Sequence, residues 1–491
     1  MKTRTQNDFP NIPIPAAMLA LAFSLPAMAF DSGSTGADGP LNPTVDSVIA
    51  LPDDGVFNYT SINIPAGVTV RFERNRTNTP VRLLVAGDAQ IDGIIDISGQ
   101  DSPATGPAGD GVLADDGLPG IGGPGGFNGG RGGEPGESGF EGAQGLGPGG
   151  GFPALWQGTS NGNLGGCVGA GGGFGSAGID GRRYSGGFFC GETASGGDAY
   201  GNDRLLPLIG GSGGGGGAGG GAFAGSGGGG GGGALLIAVS GTLTVNGEIR
   251  ASGGDSGDFD GGAPGGGGGG GAGGGIRIVA TTIAGDGPIE ARGGIGWKND
   301  PFDGRSGQGG TGRIRLESEN ITRVAATNPP FTFDEPGPIF LSGMPSLSII
   351  RVAGIDAPAA PTGSADIVLP VDEPNPVEVL VAGSNVPLGN TVTVTMTPVR
   401  GNAVSELTDA LDGTLESSTA TTSIDIPEGP NMLQASVSFT VPESQARAFT
   451  ALTDGEAVHE IRLAAGMQGE SRTVLVTESG REVVWNGAPA R

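Results

Sequence analysis

The sequence predicts an all-β protein: right-handed, β-solenoid-like stacked strands carrying polyglycine-type helical bundle insertions, followed by a C-terminal β-sandwich. Three observations predict it. A strand motif recurs at Val81-Arg82-Leu83, Leu235-Leu236-Ile237, Ile276-Arg277-Ile278 and Ile314-Arg315-Leu316, with copies starting 154, 41 and 38 residues apart. Glycine makes up 105 of 491 residues, far above the usual ~7 %, and much of it falls into three-residue registers. From about residue 345 glycine thins out, and short alternating apolar stretches recur about every ten residues.

Taken in order, residues 1–29 read as a secretory signal peptide. Lys2 and Arg4 precede the apolar run 16–25 (AAMLALAFSL), Pro26 breaks it, and Ala27-Met28-Ala29 places small residues where a signal peptidase reads them, so cleavage is expected before Phe30. The run is too short to cross ~30 Å of hydrocarbon, and no transmembrane segment is expected elsewhere. Residues 30–46 are a turn-rich lead-in, and apolar alternation starts near Val48 with Ile62, Ile64, Val68, Val70 and Phe72 in phase.

The first three copies of the strand motif continue into a second block: GIIDISG at 93–99, GEIRASG at 247–253 and GPIEARG at 287–293. Stacking such units buries an apolar face that none can bury alone. Period two then points Ile95, Ile249 and Ile289 inward with Ile97, Ala251 and Ala291, and points Asp96, Arg250 and Glu290 outward in a ladder of alternating sign. An ordinary antiparallel sheet is the competing arrangement.

Residues 101–310 hold 82 glycines. Gly117, Gly120, Gly123, Gly126, Gly129 and Gly132 keep one phase, Gly136 to Gly145 another, and Gly166 to Gly181 a third, while 211–233 is nearly homopolymeric. Period three matches the extended left-handed helix with three residues per turn. Glycine edges let such helices approach closely enough to bond to one another, within insertions at about 100–233 and 254–275. Disorder and a collagen triple helix compete with this reading; the strict phase opposes the first, and sparse proline and broken phase oppose the second. Residues 30–335 are thus one glycine-rich unit, and 345–491 a β-sandwich of immunoglobulin-like size, without the Cys…Trp…Cys pattern.

Charge and chemistry narrow the function. Loss of Lys2, Arg4 and Asp8 with the signal leaves 23 basic and 50 acidic residues, which excludes nucleic acid as a partner. Cys167 and Cys190, in an oxidising compartment, are expected to form a disulfide. Asp255, Asp258 and Asp260 (GGDSGDFDGG) bring carboxylates together in a turn as calcium requires, although the loop lacks the EF-hand glutamate. No other cofactor is implied. His459 is the single histidine, and no nucleophile elbow or zinc-ligand set accompanies it, so no catalytic residue is assigned.

The phrases FDSGSTGADGPLN, GGGGGGGAGGGIRIVA, GDGPIEARGG and GGTGRIRLES resemble a widespread group of bacterial secreted glycine-rich proteins, which repeat glycine tract, short strand and G-x-I-x-A-x-G-G; the resemblance covers about 30–320. The tracts also look like the polyglycine bundles of some phage tail-fibre tips, insect antifreeze proteins and receptor-tyrosine-kinase ectodomains. The expectation is an exported, non-catalytic structural or adhesive protein, secreted or at the cell surface, with a surface polysaccharide or protein as ligand. A carbohydrate-binding or carbohydrate-cleaving β-helix is the alternative, which aromatics, or Asp and Arg on adjacent rungs, would favour.

Overall fold

A computed structural model describes residues 30–486 with breaks, the longest at 106–116, 155–166, 182–192, 258–265, 297–306, 359–365 and 442–448. The signal-peptide segment 1–29 lies outside the described residues. Among the described residues the protein is all-β, with no α-helix and several open sheets.

Two of these sheets are built from parallel pairs. In the first, Val81–Val85 pairs with Val56–Tyr59 on one side and Ala234–Val245 on the other, and Gly275–Ala284, Arg313–Ile321 and Thr332–Asp334 follow. In the second the order is Ser47–Ala50, Thr69–Glu73, Ile94–Asp96, Glu248–Arg250 and Ile289–Glu290. The register follows the sequence motif: Val81, Leu235, Ile276 and Ile314 stand opposite one another, as do Ile95, Ile249 and Ile289. The antiparallel alternative is excluded for these strands. Parallel neighbours require a crossover, and the turns and glycine insertions between the two sheets supply it.

Period-two alternation then fills one core from both sheets. Ile95, Ile97, Ile249, Ala251, Ile289 and Ala291 are buried with Leu235, Ile237, Ile276 and Ile278, and each large aliphatic side chain so buried contributes about 1.5–3 kcal/mol. Two earlier rungs were not evident from the motif. Val70 stands opposite Ile95, and Ser47 opposite Val70. Val48 faces solvent, opposite Arg71, so the inward phase begins at Ile49.

The glycine tracts carry a different bonding pattern, with donors to a given neighbour recurring every third residue. In 210–218, the N–H groups of Gly211, Gly214 and Gly217 donate to the carbonyls of Gly232, Gly229 and Ser226; Gly213 and Gly216 donate to Leu146 and Ala143; Gly215 donates to Ala170. The carbonyls of Gly211, Gly214 and Gly217 accept from Phe127, Gly130 and Gly133; those of Ser212, Gly215 and Ala218 from Ala272, Gly269 and Gly266; those of Gly213 and Gly216 from Gly151 and Ala154. One segment thus donates to three neighbours and accepts from three others. Segments 225–233 and 266–274 are surrounded in the same way.

This explains the near-homopolymer. A Cβ on Gly213, Gly214 or Gly215 would lie 2.0, 2.1 or 2.1 Å from the carbonyl oxygens of Asn128, Gly269 and Phe152, on three different neighbours. No residue of 210–218 is exposed: seven of the nine are glycine, and the other two, Ser212 and Ala218, are small and fully buried. On an outer segment some positions are open: Gly120 and Gly123 abut Gln100 and Ile97, while Ile121 between them is exposed. Positive φ is not the reason, since no glycine of 210–221, 225–233 or 266–274 adopts it.

The C-terminal region holds two antiparallel sheets. One contains Ser346–Val352, Val377–Ser384 and Ser418–Ile424 with two short edge strands; the other runs Val404–Ala410, Thr391–Pro398, Asn431–Thr440, Val458–Gly466, Ser471–Thr477 and Glu482–Asn486. Val379, Val381, Val392, Val394, Ile461 and Leu475 share one core, which Leu206 of the glycine-rich unit also joins. Val404–Ala410 was not expected, because its side chains are largely exposed and its pattern is not apolar.

Candidate functional site

The exposed face of the second parallel sheet carries the charged ladder that the aligned blocks predict. Asp96, Arg250 and Glu290 stand on successive rungs, at the ~4.8 Å strand spacing. Arg71, on one of the rungs that the motif did not reveal, precedes them opposite Asp96. The signs therefore alternate over four rungs. Arg71 Nε lies 3.1 Å and Arg250 Nη2 3.0 Å from the same Asp96 oxygen, Arg250 also lies 3.7 Å from Glu248, and Arg292 pairs with Glu290.

Asp96 is the focus of this array. Burial alone would raise its pKa, but hydrogen bonds from Arg250 and from the Ser98 N–H hold it below the ordinary aspartate value. Its hydrogen bond to Arg250 in turn raises the Arg250 pKa, against a smaller opposing effect of burial. A polymer with a regular repeat of hydroxyl or charged groups could meet the four side chains rung by rung.

Asp255 has a structural partner on each side. Its Oδ1 accepts from the Ile295 N–H at 2.7 Å, and its own N–H donates to Asp101 Oδ1 at 2.7 Å. The same clamp recurs where Asp46 accepts from the Thr69 N–H, Asp88 from Thr242, and Asp286 from both Val324 and Ala325. A carboxylate thus fixes the backbone of a segment further along the chain. Asp258 and Asp260 lie outside the described residues, so the three aspartates are not seen together. Among the described residues no cluster of three or more His, Cys, Asp or Glu residues forms a candidate metal site.

Cys167 is buried between Ala154 and Ala218, and its expected partner Cys190 lies outside the described residues. His459 is exposed on Val458–Gly466.

A second charged cluster was not anticipated. Period two turns Arg277 and Arg315 away from the apolar core, yet both are buried on the outer face of the first sheet. Arg277 holds Glu317 in a bidentate pair at 2.9 and 2.9 Å, Arg315 Nε lies 2.6 Å from the same carboxylate, and the Gly337 N–H donates to it at 2.9 Å. Burial would raise the Glu317 pKa, but the Arg277 bond and charge, then Arg315 and Gly337, hold it low. The sequence signal was the glutamate two residues after Arg315, but Gly337, twenty residues on, is brought to the cluster only by the fold.

No family model, curated protein or solved structure matches the chain.

Proposed function

We propose that this is an exported structural or adhesive protein of the cell surface or extracellular space, without catalytic activity. In this reading the parallel coils form a right-handed solenoid, the glycine segments form a bundle of polyglycine-type helices packed against it, and the C-terminal sheets form a β-sandwich that attaches or binds. The observation that carries the reading is the bonding of segment 210–218 to six neighbours. With backbone donors and acceptors satisfied throughout such a bundle, it would be a stiff platform that presents its outer side chains at fixed spacing, about 9 Å along each helix. Asp88 and Asp255 are engaged as backbone clamps and Asp96 as a ladder partner.

Thermal melting followed by circular dichroism, together with hydrogen exchange, tests this. We expect one cooperative transition in which amides of 210–233 exchange as slowly as those of Ala234–Val245. A coil spectrum and unprotected amides over 100–310 would overturn it. Melts with and without reductant test the Cys167–Cys190 bond, and melts with and without calcium test a site at Asp255, Asp258 and Asp260.

The ladder Arg71–Asp96–Arg250–Glu290 favours a second reading, a carbohydrate-binding β-helix, because it places Asp and Arg on adjacent rungs. A glycan array separates the two: binding abolished by Arg250→Ala supports the carbohydrate reading, and binding that survives it does not.

A further inference from the structure

We infer that cleavage before Phe30 creates a docking element: the new α-ammonium group of Phe30 pairs with Glu319, and residues 30–41 clasp the outer face of the first parallel sheet. The inference rests on the proposed export. Hydrolysis of the Ala29–Phe30 amide by a signal peptidase consumes one water, leaving a carboxylate on Ala29 and an amine on Phe30 that takes up a proton at neutral pH.

The place for that amine exists in the fold. Phe30 N lies 2.7 Å from Glu319 Oε1. As an amide it donates one neutral hydrogen bond there; as an ammonium it makes a charge-assisted one. The Phe30 side chain packs on Leu84, Leu236, Ala238 and Val279, which lie on three neighbouring strands. Ser32 is fully buried, donating from Oγ to the Val85 carbonyl at 2.8 Å and from its N–H to Ser240 Oγ at 3.0 Å. Ser34 Oγ donates to the Tyr59 carbonyl, and Pro40–Leu41 pairs in parallel with Ser61–Ile64. One short segment therefore ties together strands from successive coils, and its first residue reaches the carboxylate on the strand Arg313–Ile321.

The other charges near this face are already engaged. Asp31 accepts from the Gly33 N–H, Arg82 donates to the Asp54 carbonyl, and Arg277 and Glu317 bind each other. Glu319 is thus the carboxylate within reach of the new amine. A pairing of this kind raises the amine pKa above its ordinary ~7.7–8.0. Its stabilising effect is fully present below that range and is lost as pH rises through the higher folded value.

The test uses the protein as exported by its host. Intact mass first establishes the N-terminal residue, and the α-amine is then titrated by NMR or by its pH-dependent acylation rate. We expect a chain beginning at Phe30, an α-amine titrating above about 8.5, and a return to the ordinary ~7.7–8.0 in Glu319→Gln. We also expect that variant to lower Tm at pH 7 but not at pH 10, with an unchanged circular dichroism spectrum. A chain beginning elsewhere would overturn both the cleavage site and the docking. A chain beginning at Phe30 whose amine titrates in the ordinary range with and without Glu319 would overturn the docking alone.

Discussion

The apolar strands and the glycine segments alternate along one chain and solve the same problem in opposite ways. Segment 225–233 runs directly into Ala234–Val245, 266–274 leads to Gly275–Ala284, and 307–312 leads to Arg313–Ile321. In the strands, backbone bonds hold two neighbours within a sheet and side chains fill the third dimension, which imposes a period of two. In the glycine segments, backbone bonds reach neighbours in every direction, and at most positions a side chain would collide with one of them. The residue at each position therefore records how many of its sides are occupied. A strand with one side facing the core alternates, an outer glycine segment admits side chains at its open positions, and an enclosed one admits only small ones such as Ser212 and Ala272.

If that is correct, the two regions respond to opposite mutations. Ile249 is fully buried between the rungs of Ile95 and Ile289, and Ile249→Ala leaves a cavity worth about 2–5 kcal/mol, read from the midpoint of chemical denaturation. In the glycine region adding one methyl group should do the damage. Gly214→Ala would place Cβ 2.1 Å from the Gly269 carbonyl oxygen, on a backbone that is itself bonded on all sides. Overpacking of this kind costs about 1–3 kcal/mol, even though alanine in place of glycine normally stabilises by restricting the unfolded chain. A neutral or stabilising Gly214→Ala would break the comparison.

Much of this was legible because both periods are short and local. The register of Val81, Leu235, Ile276 and Ile314, the inward set of Ile95, Ile249 and Ile289, and the alternating outward charges all follow from the aligned blocks, and the structure places them so. What escaped was set by neighbours distant in sequence. The early rungs at Ser47–Ala50 and Thr69–Glu73 lack a glycine insertion and so did not align with the later copies. The homopolymer 211–233 fits any phase, and only its six neighbours show why. The bond from the Ile295 N–H to Asp255, forty residues back, could not be read from the turn sequence that suggested a cation ligand.

Acid should separate the two regions further. Asp96 and Glu317 have folded pKa values below their ordinary ones. Each therefore stabilises the fold at pH above its unfolded value of ~3.9 or ~4.3, and that stabilisation is lost as pH falls through the lower folded value. The bonds of segment 210–218 are between backbone groups, which do not titrate there. Hydrogen exchange at pH 3 should accelerate in Glu248–Arg250 and Arg313–Ile321 before it does in 210–218. For Asp96→Asn the loss at pH 7 should be under about 1 kcal/mol, because both arginine partners remain partly in solvent. Simultaneous acceleration in both regions would mean that they unfold as one unit.

The smallest expected effect is the sharpest check on the steric rule. Ile121 stands between Gly120 and Gly123 but faces solvent at 46 % exposure. If occupancy of each side dictates the residue, this position is free, and Ile121→Ser should change stability by no more than about 0.5 kcal/mol. Its neighbour Gly120 differs only in direction: a Cβ there would lie 2.2 Å from the Gln100 carbonyl oxygen and 2.5 Å from Gly230 N. Gly120→Ser should therefore destabilise clearly where Ile121→Ser does not. The pair holds backbone segment, local sequence and solvent constant while changing only the side on which atoms are added, so equal effects at the two positions would show that composition alone, and not phase, governs this region.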